Sequence, residues 1–218
     1  ERNDILSKLS WQGGAMLSPL PVVIVTSGGD CIKDGATVPS GYAPNAVTVA
    51  WCGIACTQPP VVYISLRPSR HSYKIIEETG EFTINLVTSA MARTADGCGV
   101  FSGRDVDKLK KFALATEPSA TGTVGCPSLA ASPLTLDCRV MRKIPLGTHD
   151  MFLANVLGVG VDPALVDGAG KLHLDRACLA AYSHGDYFEL GKKIGDFGFS
   201  VRKKPRGGAK KSKGGSKK

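Results

Sequence analysis

The chain has 218 residues, 43% of them hydrophobic, so it holds enough apolar material for one sizeable domain. No apolar run approaches the roughly 20 residues of a membrane-spanning helix, and no secretory signal pattern opens the chain, which predicts a cytoplasmic protein without membrane association. The net charge of +8 belongs to residues 202–218, where nine of the 27 Lys and Arg lie without an acid, leaving 18 basic against 19 acidic residues elsewhere. Because the first residue is Glu1 and not Met, the sequence leaves open whether a targeting segment precedes it in the natural protein.

Strand-like runs dominate the first half of the chain. A strand is predicted over residues 22–26, and a Gly/Asp-rich hairpin follows through Gly41. The runs AVTVAW and VVYISL, within residues 45–72, have the composition of buried strands, and GIACTQPP between them is predicted to be a turn.

A helix and a candidate anion site follow the second run. In SLRPSRHSYKII, Ser69 is the predicted N-cap of a helix over residues 70–79, and Gly80 is a natural residue to end it. The N-terminus of such a helix attracts anions, and Arg67, Arg70, His71 and Ser72 add donors for a phosphate. An ordinary capped helix with solvated arginines is the alternative.

The remaining elements are mostly strands. EFTINLV is predicted to be a strand, short helices are expected from Ser89 and over residues 105–112, and residues 116–131 are expected to form a surface connection. LTLDCRVMRKIPL alternates like a strand with one buried face, and MFLANVLGVGVD and CLAAYS add further strands. Six or more strands with only short helices predict a β-barrel, and the absence of GxGxxG after the first strand argues against a Rossmann domain.

The seven cysteines predict small buried thiols in a reducing compartment. They are odd in number and form no CxxC pair, so disulfides are not expected. Cys52 and Cys56 could hold zinc with the four scattered histidines, but core packing suits their apolar surroundings better, and no metal site is predicted.

The basic tail, residues 202–218, cannot bury a core and is expected to be disordered. A solubilising role is the simplest interpretation. Weak electrostatic contact with nucleic acid or another anionic surface, or a nuclear-import signal, are the alternatives.

Four linked motifs place the sequence near a known family. NAVTVAW, SLRPSRHSYKII, FTINL and SGRDVDK, in that order, are similar to the flavin reductase-like, FMN-binding split-barrel proteins, particularly their flavoredoxin-type members. The resemblance implies a mainly β fold, a six-stranded antiparallel split β-barrel with a few short peripheral helices, and a homodimer with non-covalent FMN near the subunit interface. It divides the chain into an N-terminal extension (1–18), the split-barrel domain (19–201) and the basic tail.

The resemblance also implies which residues bind the flavin. The candidate cofactor-binding residues are Asn45, Thr48, Ala50, Trp51, Ser65, Leu66, Arg67, Ser72, Asn85, Ser102 and Lys108. Four have structural alternatives: Trp51 as plain core, Asn85 as a polar group satisfied at a strand end, and Ser102 and Lys108 as parts of a solvated helix start capped by Ser102 or Asp105.

His149, in GTHDMF, is the candidate catalytic residue. Family members with reductase activity have a histidine in the corresponding connection near the nicotinamide ring, so the resemblance implies a role in orienting NAD(P)H or stabilising reduced flavin; a surface histidine is the alternative. The predicted function is an NAD(P)H-dependent FMN oxidoreductase that passes electrons to a small-molecule or protein acceptor. A flavoredoxin-like carrier reduced by a protein partner, and a scaffold whose tail binds nucleic acid, are the alternatives.

Overall fold

The computed structural model describes residues 8–202, which excludes the first seven residues of the predicted extension and all but Arg202 of the predicted tail. The three α-helices of this part are α1 (His71–Thr79), α2 (Ala92–Val100) and α3 (Lys108–Lys111). Its strands are β1 (Leu20–Pro21), β2 (Val23–Ser27), β3 (Asp30–Lys33), β4 (Ala36–Pro39), β5 (Asn45–Val49), β6 (Cys52–Cys56), β7 (Val61–Leu66), β8 (Glu81–Leu86), β9 (Thr116–Glu117), β10 (Ser128–Leu129), β11 (Leu134–Pro145), β12 (Asp150–Val161), β13 (Ala180–Ser183) and β14 (Asp186–Glu189).

The largest sheet is antiparallel, with seven strands in the order β5-β2-β8-β11-β12-β7-β6. Its edge strands β5 and β6 are consecutive in the chain and joined only by Ala50 and Trp51, so the sheet curls until its two edges meet. This confirms the predicted mainly β, split-barrel class.

The strand count is seven and not six, because part of the predicted turn GIACTQPP is β6, which pairs with β7. The two apolar runs of the motif are therefore separated: β5 lies at one edge of the sheet and β7 next to the other. The sequence CGIAC has little strand propensity of its own, so local patterns do not predict β6. The strand forms because it pairs with β7.

The barrel interior is filled by alternate residues of the sheet and by one face of α1. Val25, Ile64, Phe82 and Phe152 are among its fully buried side chains, and Ile76 of α1 packs against them. Tyr73 of α1 meets Phe152 edge to face, with ring centroids 5.3 Å apart. Helix α1 thereby closes one end of the barrel.

The ends of α1 agree with the prediction at one terminus only. Gly80 ends the helix in the left-handed conformation, with φ 70°, as predicted. The N-cap residue is Arg70 and not Ser69, and its side chain makes no capping hydrogen bond. The N–H of Tyr73 donates to the carbonyl oxygen of Arg70 at 3.1 Å, so the N–H groups of His71 and Ser72 are the ones left for another partner.

Two expectations about residues 101–131 were wrong. Helix α3 is shorter than residues 105–112 and is capped by Asp107, whose carboxylate accepts from the N–H of Lys110 at 3.0 Å, so neither Ser102 nor Asp105 is its cap. Residues 116–131 are no mere surface connection, since Cys126 and Leu129 are buried. This segment covers the second face of β11, which explains why Asp137 is buried although the alternation predicts an exposed position.

The cysteines are free, and five of the seven are buried as predicted, whereas Cys56 and Cys178 are exposed. Cys56 is exposed because β6 is an edge strand with a bulge just before this residue.

Within residues 8–202, none of the helices has the length and apolar character needed to cross a bilayer.

Candidate functional site

Two neighbouring cavities lie where the ends of β5 and β7 meet the N-terminus of α1. The first, which we call the cationic cavity, has a volume of about 410 Å³ and is lined by Val47, Arg67, Ser69, Arg70, His71, Ser72, Phe101, Ser102, Gly103, Arg104, Asp105 and Lys108. The second, the aromatic cavity, has a volume of about 400 Å³ and is lined by Val22, Thr48, Val49, Ala50, Trp51, Ser65, Leu66, Arg67, Arg70, Gly99, His149, Tyr182 and Tyr187. Arg67 and Arg70 line both, so the cavities are neighbours through these two side chains.

Ser72, in the lining of the cationic cavity, belongs to a buried pair of polar side chains. Ser72, in the first turn of α1, is 1% exposed, and its Oγ accepts a hydrogen bond from Asn45 Nδ2 of β5 at 2.6 Å. Gly103 closes over this pair, because a Cβ at that position would lie 2.4 Å from Asn45 Oδ1 and 2.7 Å from the His71 ring. The close approach of backbone to Asn45 therefore requires glycine.

Lys108 contributes a buried charge to the same cavity. It is 3% exposed, and its Nζ donates to the carbonyl oxygen of Cys98 at 2.9 Å. Burial, opposed by Cys98 and reinforced by the charge of Arg70, lowers the pKa of Lys108 to about 8. No carboxylate of residues 8–202 forms an ion pair with this ammonium.

The neighbouring cations are also left without carboxylate partners. Within residues 8–202, none of the ion pairs involves Arg67, Arg70 or Arg104, and Arg70 donates to the carbonyl oxygen of Gly99 at 2.9 Å. Burial, followed by the charges of Arg104 and Lys108, lowers the pKa of His71. The cavity concentrates positive charge, with Asp105 as the one acidic residue of its lining.

The aromatic cavity offers flat surfaces. The rings of Trp51 and His149 are parallel to within 3°, with centroids 6.4 Å apart, and Tyr182 lies 6.3 Å from Trp51. Any planar ring that stacks on Trp51 is therefore parallel to the imidazole as well. Burial, followed by the charges of Arg67 and Arg70, lowers the pKa of His149, which favours its neutral form at neutral pH.

The remaining polar groups of the aromatic cavity come from strand ends. The Thr48 hydroxyl donates to the carbonyl oxygen of Ala95 in α2, which ties β5 to that helix. The N–H of Ser65 donates to the carbonyl oxygen of Trp51 at 2.8 Å and so holds the loop between β5 and β6 against β7.

The structure brings most of the predicted residues together. Thr48, Ala50, Trp51, Ser65, Leu66, Arg67 and His149 line the aromatic cavity, Arg67, Ser72, Ser102 and Lys108 line the cationic cavity, and Asn45 contacts Ser72. These placements leave their roles toward a ligand as predictions.

Asn85 lies apart from both cavities. Its Nδ2 donates to the carbonyl oxygen of Ile24 at 2.9 Å, and its Oδ1 accepts from the N–H of Leu129 at 2.7 Å. These bonds correspond to the second alternative, a polar side chain satisfied by the surrounding strands.

Sequence reasoning missed several residues of the linings, among them two tyrosines and an arginine. Tyr182 and Tyr187, from β13 and β14, reach the aromatic cavity, and Arg104 reaches the cationic cavity. Arg104 stands in the SGRDVDK motif and could have been singled out there. The tyrosines carried no local signal, since only the folding of the chain brings them near β5.

Helices and strands of the described part hold no group of three or more His, Cys, Asp or Glu side chains that could bind a metal ion. The two cavities place a cationic site, suited to an anion, beside flat aromatic surfaces, suited to a ring.

Comparisons with known proteins agree with this arrangement. Residues 16–191 match the model of the flavin reductase like domain. The chain is 28% identical over 126 residues to the FMN reductase (NADH) RutF of Stutzerimonas stutzeri, covering 58% of this chain and 66% of that protein.

Solved structures share the fold over nearly the whole chain. Flavoredoxin of Desulfovibrio vulgaris (Miyazaki F) superposes with a TM-score of 0.77 at 25% identity, covering 90% of this chain and 100% of that one. Flavoredoxin from Methanosarcina acetivorans gives a TM-score of 0.73 at 20% identity, covering 90% and 100%, which supports the fold alone.

Proposed function

The chain belongs to the flavin reductase-like domain family, and on this premise we propose that it is an FMN-dependent oxidoreductase that takes electrons from NAD(P)H and passes them to a second acceptor. Bound FMN would supply the electron chemistry, accepting a hydride from the nicotinamide and releasing electrons to the acceptor. The residues of the two cavities bind and orient the reactants.

The cationic cavity suits the flavin phosphate. A phosphate needs several donors and positive charge, and Ser72, Arg104 and Lys108 provide them around a cavity that has room for a phosphate. The uncapped first turn of α1 adds backbone N–H groups and the positive end of the helix dipole. Because these cations have no carboxylate partners within residues 8–202, an anionic ligand would relieve their mutual repulsion. This cluster of unpaired cations is the observation that carries the proposal.

The aromatic cavity suits the flavin ring and its reaction partner. Thr48, Ala50, Ser65 and Leu66 provide backbone and apolar surface along the strand ends, and Trp51 provides an aromatic face. We assign the ring of FMN to this surface and the ribityl chain to the passage by Arg67, between the two cavities. Placement of two flat reactants in contact, with water excluded, is the protein's contribution to the rate.

His149 is assigned to the nicotinamide side of the aromatic cavity. Its neutral imidazole, parallel to Trp51, can stack on or hydrogen-bond to the donor, and its Nδ1 lies 2.9 Å from Thr148 Oγ1, which fixes the ring orientation. His149→Ala is expected to slow NAD(P)H-dependent flavin reduction by about tenfold and to leave the FMN dissociation constant unchanged. Stopped-flow absorbance and a flavin titration measure the two quantities, and unchanged reduction kinetics would remove His149 from the mechanism.

The proposal is tested first by anaerobic mixing of the flavin-loaded protein with NADH or NADPH. Bleaching of the flavin absorbance is the expected result. Persistence of the colour with both nucleotides contradicts NAD(P)H-dependent reduction, and it is the result that a second candidate predicts. In that candidate, favoured by the likeness to flavoredoxin from Desulfovibrio vulgaris, the chain is an electron carrier reduced by a protein partner.

We also propose that the chain forms a homodimer. Ile54 of the edge strand β6 and Leu157 and Val159 of β12 expose apolar side chains to solvent. Burial of these residues in a second copy would remove apolar surface from water, and sedimentation analysis tests it.

A further inference from the structure

The hairpin that joins β11 to β12 carries His149, and the buried side chain of Tyr73 ties this hairpin to α1. Tyr73 follows Ser72 of the cationic cavity, and its hydroxyl donates to Asp150 Oδ2 at 2.5 Å. Asp150 in turn follows His149 of the aromatic cavity. From this contact we infer that Tyr73 is a positioning residue that, through Asp150, sets the place of the His149 imidazole. The consequence for the reaction, unlike the placement itself, rests on the proposed function.

The turn before His149 gives the imidazole little support of its own. Residues 146–148 are exposed, and the N–H of Leu146 donates to the carbonyl oxygen of His149 at 2.9 Å, which closes the turn on itself. The bond between the imidazole and Thr148 also lies within the turn. Asp150, 8% exposed, is the first residue of β12, so the turn joins the barrel beside His149 at a buried residue. The place of the turn therefore depends on what holds Asp150.

Tyr73 contacts both strands of the hairpin. Its hydroxyl bonds to Asp150 of β12, and the ammonium of Lys143 of β11 donates to the same oxygen at 3.3 Å. Lys143 also pairs with Glu77, one turn further along α1. The edge-to-face contact with Phe152 fixes the Tyr73 ring inside the barrel. The hydroxyl is thus placed by the packing of the core, and it places the hairpin in turn.

The bond between Tyr73 and Asp150 keeps its donor at neutral pH. Burial, followed by the bond to Asp150 itself, raises the pKa of Tyr73, so the phenol retains its proton. Among residues 8–202, no ion pair includes Asp150, and no other side chain donates a hydrogen bond to its carboxylate. A hydroxyl that donates to a carboxylate makes one of the stronger kinds of hydrogen bond. Removal of the hydroxyl would free the carboxylate that anchors the turn.

The position of the imidazole matters for the proposed reaction. A displacement of about 1 Å between reacting groups can cost a large part of the rate that proximity supplies. His149 stands parallel to Trp51, on which the flat reactants are proposed to stack. Tyr73→Phe is therefore expected to disturb this arrangement without removing any side chain of the two cavities.

The first test observes the imidazole directly. The ¹H–¹³C signal of the His149 ring is measured in the flavin-free protein and assigned by its loss in His149→Ala. Tyr73→Phe is expected to shift this signal, because the ring moves relative to the indole of Trp51. An unchanged signal overturns the inference. The measurement needs no nicotinamide, so its result holds whether or not NAD(P)H reduces the protein.

Two further variants identify the cause of such a shift. Tyr42→Phe is the matched control, because the Tyr42 hydroxyl donates to Glu78 of the same helix and not to the hairpin. It is expected to keep the parent's His149 signal, and a shift equal to that of Tyr73→Phe would contradict the inference by assigning the change to a general loosening of α1. Asp150→Asn retains an oxygen that can accept from Tyr73 and is expected to shift the signal less than Tyr73→Phe. An equal or larger shift would assign the effect to the charge of Asp150 and contradict the role of Tyr73.

The second test is a double-mutant cycle in NAD(P)H-dependent flavin reduction. Tyr73→Phe is expected to slow reduction by about fivefold and to leave the FMN dissociation constant unchanged. In the His149→Ala background the same change is expected to cost less than about twofold, because no imidazole remains to be positioned. An equal loss with and without His149 would make Tyr73 merely structural and overturn the inference. Failure of both nucleotides to reduce the parent contradicts the proposed function instead, and the ring signal then decides the placement of His149 alone.

Discussion

Two regions of the molecule bury polar side chains, and they differ in whether the protein itself supplies the hydrogen-bond and charge partners. Around β8, Glu81 accepts from the N–H groups of Ile32 at 3.1 Å and Gly125 at 2.9 Å and pairs with Arg139 at 3.0 Å. Asn85 uses its amide in the same manner, with partners on β2 and β10. All of these hydrogen bonds are made within the protein, and they attach the barrel to the segments that cover it.

In the cationic cavity the protein leaves the corresponding groups unmatched. Lys108 is as buried as Glu81, yet its ammonium has one carbonyl oxygen and, among residues 8–202, no carboxylate. Buried charge without a partner costs free energy, and a fold retains it where a ligand supplies the missing partner. The difference lies in charge pairing: Glu81 is paired with Arg139 within the protein, whereas Lys108 in the cationic cavity has no carboxylate among residues 8–202.

The largest expected effect is a loss of stability when a hydrogen-bonded side chain near β8 is removed. Asn85→Ala leaves the N–H of Leu129 and the carbonyl oxygen of Ile24 without their side-chain partners, which is expected to lower the free energy of unfolding by about 3 kcal/mol. Thermal or urea unfolding measures it, and the FMN dissociation constant of the folded protein is expected to stay the same.

Asn45→Ala is the matched variant, since Asn45 is the buried asparagine that contacts Ser72. It is expected to cost about 1 kcal/mol of stability and to weaken FMN binding. Weaker FMN binding in Asn85→Ala would contradict its purely structural role. Equal FMN binding in Asn45→Ala and the parent would contradict a role of Asn45 in the flavin site.

The next effect concerns the unsatisfied region. Lys108→Met removes a charge-assisted bond to the proposed phosphate, so FMN affinity is expected to fall by about 10- to 100-fold while riboflavin affinity is unchanged. Flavin fluorescence titrations measure both. Because burial disfavours the charged form of Lys108, the flavin-free variant is expected to unfold at a higher temperature than the parent.

Lys110→Met is the control for that variant, because Lys110 is an exposed residue of the same helix. It is expected to keep the parent's FMN affinity. An equal loss in both variants would mean that the general positive charge of α3, and not the buried ammonium, is responsible.

The smallest effect is a pH dependence. The pKa of Lys108 is about 8 in the free protein, and a bound phosphate would raise it, so binding takes up a proton at higher pH. FMN affinity is then full well below pH 8 and falls as the pH rises through 8, by about tenfold between pH 8 and pH 9 at most. Riboflavin affinity measured in parallel is expected to be flat through pH 8, and a common slope would assign the titration to another group.

Local patterns were enough to predict much of the fold. The runs AVTVAW and VVYISL became β5 and β7 and are mostly buried as expected, although Ala50 and Trp51 lie beyond the end of β5 and Trp51 is exposed. Gly80 ended α1 as predicted, in the left-handed conformation that glycine adopts readily. What local patterns could not predict depends on distant pairing: β6 exists because β7 lies beside it, and Asp137 is buried because residues 116–131 cover β11.

The site follows the same division. Ser72 and Arg67 could be found because their motif brings cations, a hydroxyl and a helix start into a short stretch of sequence. The burial of Lys108 could not, since it depends on contact with Cys98 of α2, and Tyr182 enters through a strand more than a hundred residues away. Asn85 stands in a motif as specific as the others, and only its hydrogen bonds separate it from the cavities.

The central claim, that the unmatched cations are a phosphate site, is tested most directly by comparing FMN with riboflavin, two flavins that differ only in the phosphate. Calorimetric titration of the flavin-free protein at low salt is expected to give an FMN affinity at least about 100-fold above that for riboflavin. Equal dissociation constants for the two flavins would contradict the account, because the cationic cavity would then take no part in binding.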